Sequence, residues 1–274
     1  PINLYKFHKP RLHLYEVRSN APKQETKRCI RNLANYHPPK VRMKFPRSRC
    51  AAVLVALFVG RLGDLYVLLC SRSTSLRTYA GDTSLPGGKV DPEDRTIEDT
   101  ARREAFEEIG LTRDKKKVPL LCILEPYLSG NELIVTPVVV LILDNSLDPI
   151  LNRAEVSSLF SHPLASFLSS EAPFPSEPES VEVAYHTYKD IRYRGDEGRK
   201  IRIHSFLTGR EAGGIKPVFG LTASILIDVA IAGYSRQPTY ELRPPNSPTM
   251  EERIAYSMLL HPTFRKAFVD EGMN

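Results

Sequence analysis

Residues 85–111, LPGGKVDPEDRTIEDTARREAFEEIGL, constrain this chain more than any other stretch. They join a glycine turn to a short helix that carries Glu104, Glu107 and Glu108. At this spacing the three carboxylates share one helix face, and like charges so placed oppose the helix by roughly a few tenths of a kcal/mol per pair. A cation is the natural compensator, and oxygen-only ligands suit a hard ion, Mg²⁺ or Mn²⁺.

The residues around this helix carry start and stop signals. Thr96 is predicted to be the N-cap, and Asp99 completes a Ser/Thr-x-x-Asp/Glu capping pattern. Gly110 is predicted to end the helix, since glycine tolerates the left-handed conformation found after many helices. The apolar positions recur at helical spacing and predict a buried stripe of Ala101, Ala105 and Ile109.

The composition bounds the class of protein. A chain of 274 residues with 42% hydrophobic residues can bury a sizeable core, as one large domain or two small ones. The formal charge of +6 favours anionic partners such as phosphates, but it is too weak to indicate a nucleic-acid-binding protein. No apolar run reaches the ~18–20 residues needed to span a bilayer, so no membrane partner is expected.

The cysteine and histidine patterns argue against two further kinds of site. The four cysteines lack CxxC spacing, and Cys70 and Cys122 lie in apolar runs that are typical of buried strands. We expect all four to be reduced, which indicates an intracellular protein. The seven histidines form no HxH or HExxH pattern, so a zinc site is not expected.

The rest of the chain predicts the elements around this helix. Apolar, β-branched runs flanking a glycine-containing turn predict a hairpin at residues 51–58 and 64–70. Further strands are predicted at 120–124 and 133–143, a second hairpin at 181–188 and 200–206, and helices at 25–35 and 221–232. Residues 153–168 have helical character that Pro163 breaks, and the proline-rich region from residue 237 predicts an appendage with one short helix at 252–260.

Residues 103–111, REAFEEIGL, resemble the end of the Nudix box, Arg-Glu-hydrophobic-x-Glu-Glu-x-Gly-hydrophobic. Seven constrained positions at fixed spacing carry the resemblance, with the small Ala105 in the hydrophobic position. It implies a Nudix fold, an α/β architecture with a mixed β-sheet between helices. We expect the Nudix hydrolase domain at residues 40–235, an N-terminal extension at 1–39 and a Pro-rich C-terminal extension at 236–274.

The resemblance also implies roles for the residues of the site. The metal ligands would be Glu104, Glu107, Glu108 and the backbone carbonyl of Gly88, and they would hold Mg²⁺ or Mn²⁺. The catalytic residues would be Glu104, Glu107 and Arg103. In this scheme Arg103 orients the carboxylates through a salt bridge, and Glu104 is the best candidate for the base.

One departure from the general box concerns its early glutamate. The loop before the helix is one residue longer here than in the general pattern, which places Arg95 where that glutamate would fall. An arginine cannot bind a metal ion, so the nearest substitutes are Glu93 and Asp94.

The upstream residues 68–88 resemble the additional motif of coenzyme A diphosphatases, LLTxRSx3Rx3Gx3FPGG, with Cys70 for threonine and Leu85 for phenylalanine. This resemblance implies hydrolysis of coenzyme A or an acyl derivative to 3′,5′-ADP and (acyl-)4′-phosphopantetheine. Arg72 and Arg77 would bind phosphate, which bidentate guanidinium groups suit, and Lys89 would touch phosphate or be merely exposed. The location would be peroxisomal by resemblance and cytoplasmic otherwise.

The sequence leaves three alternative functions open. The chain could be a Nudix diphosphatase for ADP-ribose, a dinucleotide or an oxidised nucleotide. It could also be a catalytically silent Nudix binding module, or an RNA-cap hydrolase, although no basic and aromatic cluster is evident. Glu125, Glu132 and Asp144 flank core strands and could add an acid to the site or be loop carboxylates. An oligomer is possible.

Overall fold

A computed structural model describes most of the chain. It covers residue 4 and residues 21–39, 43–75, 79–143, 149–174, 183–194, 196–208 and 216–273. Arg77, Asp144 and most of the N-terminal arm lie outside the described residues, so the interpretations placed on them stay predictions.

The first predicted hairpin forms the centre of the fold. Strands β1 (Cys50–Val59) and β2 (Leu65–Arg72) pair antiparallel, with Leu57 opposite Val67. Both faces of β1 are buried, because its alternate residues point to opposite sides of the sheet and helices cover both sides. This explains why its sequence is a nearly continuous apolar run rather than an alternating one.

A mixed sheet is built around β1, as predicted. The remaining strands are β3 (Thr83–Ser84), β4 (Gly87–Lys89), β5 (Leu120–Ile123), β6 (Tyr127–Leu128), β7 (Ile134–Ile142) and β8 (Val156–Pro163). The strand order is β3-β2-β1-β7-β5, with β4 paired to β1, β6 to β7 and β8 to β2. The long pairing of β1 with β7 is parallel, and the other pairings are antiparallel.

Helices cover the two faces of this sheet. They are α1 (Gln24–Asn35), α2 (Ile97–Ile109), α3 (Gly220–Tyr234), α4 (Met250–Leu260) and α5 (Pro262–Asp270). Helix α2 packs its predicted stripe against Ala52, Leu54 and Ala56 of β1. Helices α1 and α3 pack on the opposite face, in one core with the alternate residues of β1. The sheet is therefore held between helices.

The second predicted hairpin forms a separate small sheet. Strands β9 (His186–Tyr193), β10 (Asp196–Thr208) and β11 (Lys216–Phe219) pair antiparallel in the order β11-β10-β9. The hairpin prediction is confirmed, although the first strand lies five residues later than expected, the second strand runs longer, and the link between them is shorter. A register shift between Asp196 and Lys200 interrupts the pairing.

Two predictions about the later part of the chain are wrong. The helical character predicted around Glu155 and Val156 is absent, because Val156–Pro163 pairs with the free edge of β2 as β8; only Leu164–Leu168, after Pro163, form a short 3₁₀ helix. The C-terminal region has two helices rather than one, since Pro262 begins α5 at its first turn, where a missing N–H costs nothing. The proposed boundaries at residues 39 and 235 stay a prediction.

The C-terminal helices pack against the sheet. Ile254 of α4 and Phe264 of α5 are fully buried beside Ile134 at the start of β7. The carboxylate of Glu271, just after α5, accepts hydrogen bonds from the backbone N–H groups of Arg47 and Ser48, at 2.7 and 2.8 Å. The end of the described chain is thereby joined to the residues that lead into β1.

The cysteines agree with the expectation from their spacing. All four cysteines are buried and none is in a disulfide. In the part of the chain that the structure describes, no helix is both long and apolar enough to cross a membrane.

Candidate active site

The box helix α2 begins and ends where the sequence predicts. The Thr96 hydroxyl accepts a hydrogen bond from the Asp99 N–H, and the Asp99 carboxylate accepts one from the Thr96 N–H, each at 3.1 Å. Gly110 ends the helix in the left-handed conformation, at φ 68°. These reciprocal caps fix the position of the helix start, and with it the direction in which the acidic residues project.

The three glutamates of the helix face different environments. Glu108 is buried, with 6% exposure, and its carboxylate accepts a hydrogen bond from the Gly87 N–H at 3.1 Å. Glu104 is mostly covered, because Gly88 lies directly against its carboxyl group. Glu107 is half exposed. The glycine turn of β4 therefore lies over two of the three carboxylates.

The glycine at position 88 is what permits this close approach. A Cβ atom there would stand less than 3.0 Å from all three atoms of the Glu104 carboxyl group. At Gly87 a Cβ would stand equally close to backbone atoms of Ala52 and Val53 in β1. The absence of a side chain at Gly88 therefore makes room for the Glu104 carboxyl group, and its absence at Gly87 makes room for the backbone of β1.

Arg103 links the acidic residues to one another. One terminal nitrogen donates to Glu104 at 2.9 Å and to Glu107 at 3.1 Å. The other terminal nitrogen donates to the Lys89 carbonyl at 2.9 Å and to Asp94 at 3.0 Å. These hydrogen bonds, above all those to Asp94, raise the pKa of Arg103 further above its usual range, so it is a permanent cation among the carboxylates.

Asp94, one of the two substitutes for the early glutamate, is the anchor of Arg103. It is buried, and both of its carboxylate oxygens accept hydrogen bonds from the Arg103 guanidinium. The Thr100 hydroxyl and the Asp91 N–H also donate to it. Burial acts to raise the pKa of Asp94, but these hydrogen bonds outweigh it and the pKa is lowered. The other substitute, Glu93, is exposed.

A fourth acid at the site was not assigned from the sequence. Glu155 lies just before β8 and raises the pKa values of both Glu104 and Glu108 through charge repulsion. Burial is the larger cause of both shifts, and it brings the pKa of Glu108 to about 7. No spacing rule could have found Glu155, because it reaches the site through the pairing of β8 with β2.

Two of the three acids singled out as possible additions lie elsewhere, and the third, Asp144, is outside the described residues. Glu125 lies with Asp228 on the α3 side of the sheet. Glu132 accepts a hydrogen bond from the Ser257 hydroxyl on α4. Neither is among the groups that affect the ionisation of Glu104 or Glu108, so Glu155 takes the place that was considered for them.

The predicted phosphate-binding residues separate into three cases. Arg72 lies at the end of β2 on the face covered by α2, and its charge lowers the pKa of Glu108. Among the residues that the structure describes, its buried Nε atom has no hydrogen-bond partner. Lys89 is exposed and contributes its carbonyl to Arg103. Arg77 lies outside the described residues.

The donor atoms at the site fit a hard divalent cation. They are all oxygens, they carry like charge, and burial leaves Glu104 and Glu108 short of compensating charge. Among the described residues no three acidic, histidine or cysteine side chains form a ready-made metal cluster, and Arg103 lies between Glu104 and Glu107. Mg²⁺ typically needs only one or two carboxylates, with water and substrate phosphates completing its shell.

The structure thus combines a mixed sheet between helices with an acidic helix, α2, that lies beneath the glycine turn of β4. A profile described as the NUDIX domain matches residues 48–206. The chain belongs to the Nudix family. The matched region includes both the box and the residues 68–88 that precede it.

Several curated relatives share this region. Nudix hydrolase 15, mitochondrial, of Arabidopsis thaliana is 40% identical over 195 residues, which cover 71% of this chain and 62% of the relative. The peroxisomal coenzyme A diphosphatase 1 of Saccharomyces cerevisiae is 36% identical, covering 61% of this chain and 58% of its own length. A peroxisomal coenzyme A diphosphatase of Mus musculus is 31% identical, covering 70% of this chain and 73% of the relative.

Proposed function

We propose that the protein is a divalent-metal-dependent diphosphatase that hydrolyses coenzyme A and its derivatives. The products would be 3′,5′-ADP and 4′-phosphopantetheine or its acylated form. The observation that carries the proposal is the acidic cluster of Glu104, Glu108 and Glu155, with Arg72 beside it. Such a cluster holds negative charge that a cation must compensate, while the arginine offers donors to a phosphate.

In this proposal each residue has a defined task. Glu104, Glu107 and Glu108, with the Gly88 carbonyl, hold Mg²⁺ or Mn²⁺. When bound, the divalent cation neutralises the diphosphate and makes the attacking water more acidic. Glu104 accepts the proton of that water, since burial already raises the pKa of this carboxylate above its usual value. Arg103 holds Glu104 and Glu107 in place.

Phosphate recognition is assigned to basic residues near the glycine turn. Arg72 acts on the acidic cluster through its charge, and its Nε, which has no partner in the described part of the chain, is a donor that a phosphate oxygen would satisfy. Arg77 follows in the same motif, and Lys89 is exposed beside Gly88. A guanidinium group binds phosphate bidentately, which would fix the orientation of the diphosphate.

The choice of coenzyme A rests on two supports. The first is the motif at residues 68–88, which resembles that of coenzyme A diphosphatases. The second is that relatives from yeast and mouse carry that name.

We propose a peroxisomal location on the same grounds, and imaging of the fluorescently tagged protein beside a peroxisomal marker tests it. A diffuse or mitochondrial signal would contradict that location.

A hydrolysis screen with product identification tests the proposal. Coenzyme A, ADP-ribose, a dinucleotide and an oxidised nucleotide are compared at equal concentration with Mg²⁺, with Mn²⁺ and with chelator. We expect coenzyme A to give the highest kcat/KM, only with metal, and to yield 3′,5′-ADP. Faster turnover of another substrate would overturn the coenzyme A assignment and retain the diphosphatase.

Glu107→Gln separates an enzyme from a binding module. The substitution removes one charge at a half-exposed position, so the fold should persist while the hydrolysis rate falls by about 100-fold or more. Glu93→Gln, an exposed acid in the neighbouring loop, is the matched control and should keep the activity. If neither metal supports hydrolysis of any substrate by the unsubstituted protein, a binding module is the better assignment.

A further inference from the structure

A cavity lies on the face of the sheet opposite to the box helix. Its volume is about 340 Å³, within the range of about 300–1,000 Å³ typical of small-molecule sites. Helix α3, the link between β5 and β6, strand β10 and residues 242–254 enclose it. We call it the C-terminal cavity, because the segment beyond α3 supplies one of its walls. The proposed reaction uses none of its residues.

Two half-buried side chains of opposite charge line this cavity without pairing. Asp228 of α3 accepts a hydrogen bond from the Tyr127 hydroxyl at 2.6 Å. Arg253 of α4 lines the same cavity. Within the described ranges, neither forms an ion pair within 4.0 Å. By contrast, Arg202 on the β10 wall is held by Asp190 and Glu241, which leaves it satisfied.

The ionisation of these groups shows that their charges are poorly compensated. Burial raises the pKa of Asp228 and lowers the pKa of Arg253, so each charged form is disfavoured. Arg243, on the rim, partly compensates Asp228 and repels Arg253, and Glu132 partly compensates Arg253, but burial outweighs both compensations. A buried charge normally has a partner, because removing it from water costs several kcal/mol. A ligand that supplies both partners would stabilise the cavity.

The charges are arranged as two poles. Glu125 and Glu251 at the rim lie close enough to repel each other, and Glu125 and Asp228 also repel, so all three form an acidic pole. Arg243 and Arg253 interact with each other and form a basic pole. Ser224 and Thr249 line the cavity as uncharged polar residues. A ligand with a single charge would satisfy one pole and leave the other uncompensated.

We propose that the C-terminal cavity binds a small zwitterion, whose ammonium group meets Asp228 and Glu125 and whose phosphate or carboxylate group meets Arg243 and Arg253. The two poles fit the two ends of such a molecule. Because the box helix lies on the other face of the sheet, binding here requires no divalent cation.

Thermal unfolding of the full chain in chelator tests this site. The probe is phosphoethanolamine, a zwitterion with a phosphate and an ammonium group, and ethanolamine and inorganic phosphate are the single-charge controls. We expect Tm to rise with phosphoethanolamine concentration, since a ligand of the folded state stabilises it by mass action. Each control should give a smaller rise than phosphoethanolamine at the same concentration.

Substitutions locate the binding. Asp228→Asn keeps an acceptor for Tyr127 and removes the half-buried negative charge, and Arg253→Gln removes the half-buried positive charge; each should abolish the Tm rise. Glu125→Gln, at an exposed position, should weaken it without affecting folding. Arg236→Gln, an exposed arginine paired with Glu25 outside the cavity, should retain the full rise. Absence of a rise, an equal rise with phosphate alone, or a rise that survives both pole substitutions overturns the proposal.

Discussion

Arg103 shows what a single residue contributes to the candidate site. It contacts both Glu104 and Glu107, and it is itself held by Asp94. The ion pair with the carboxylates was predicted from the box. The role of Asp94 could not be, because it depends on the path of a loop that is one residue longer than the general pattern.

The loop acid should act through Arg103. Asp94→Asn removes the charge opposite the guanidinium, and we expect a loss of about 1–3 kcal/mol in the free energy of unfolding. We also expect kcat to fall about tenfold or more, because Glu104 and Glu107 lose a fixed partner. Urea unfolding and steady-state kinetics measure the two effects. Glu93→Gln, in the same loop, is the control; an unchanged kcat in Asp94→Asn would show that Arg103 needs no anchor.

Arg72 should affect substrate binding more than turnover. Arg72→Lys keeps the positive charge near Glu108 but replaces the planar, forked donor by a point charge. We expect KM for coenzyme A to rise about tenfold, equivalent to about 1.4 kcal/mol, with little change in kcat. Arg192→Lys, at an exposed position on β9, is the matched control. Equal KM values in the two variants would remove Arg72 from phosphate recognition.

At the scale of elements, features that depend on residues close in sequence were predicted correctly. Features that depend on a partner strand far away in the chain were not. The caps of α2 depend on Thr96, Asp99 and Gly110, all within one short stretch, so the sequence alone specified them. Strand β8 depends on the edge of β2, about 90 residues earlier in the chain, so its polar residues were mistaken for a helix. The start of α5 was not predicted because Pro262 was interpreted only as one of the prolines that mark the C-terminal appendage, although proline is favoured in the first turn of a helix.

The two glycines of β4 offer an element-level test. In Gly88→Ala the new Cβ meets the flexible end of Glu104, which can move aside. We therefore expect a small change in stability but a loss of kcat of about 10- to 100-fold, because Glu104 is displaced. In Gly87→Ala the new Cβ meets the backbone of β1, so unfolding free energy should fall by about 1–3 kcal/mol.

Thermal unfolding and steady-state kinetics of both alanine variants separate these effects. Gly81→Ala is a poor control because that glycine has positive φ, whereas Ala80 in the same loop can be replaced by serine as a neutral reference. A Gly88→Ala protein with full activity would mean that the position of Glu104 is not critical.

At the scale of the whole molecule, buried histidine on the α3 side sets a pH dependence of stability. His162 of β8 is 1% exposed, contacts the Tyr185 hydroxyl at 2.8 Å and has its pKa lowered by burial to about 4. An unfolded histidine titrates near 6.5, so the unfolded chain binds this proton first as the pH falls. Stability is therefore lost progressively between about pH 6.5 and pH 4, by up to about 3 kcal/mol.

Replacing this histidine should flatten that dependence. His162→Phe keeps the aromatic contacts with Phe167 and Tyr185 and removes the titratable group. Urea unfolding at pH 7 and pH 5 should show a smaller loss of stability in the variant than in the unsubstituted protein. His37→Gln, at an exposed position, should keep the original slope. The same slope in all three proteins would assign the acid sensitivity to other groups.

The bond between Glu271 and the residues before β1 has a practical consequence. Arg47, whose N–H is held by Glu271, also donates through its guanidinium to the carbonyls of Asp91 and Asp94, each at 2.6 Å. Helix α5 is therefore linked to the loop that anchors Arg103 by two successive sets of hydrogen bonds. The first joins Glu271 to Arg47, and the second joins Arg47 to Asp91 and Asp94. Replacing Glu271 by glutamine would therefore loosen the residues before β1 and, through Arg47, the loop that anchors Arg103, without any change in the active centre itself.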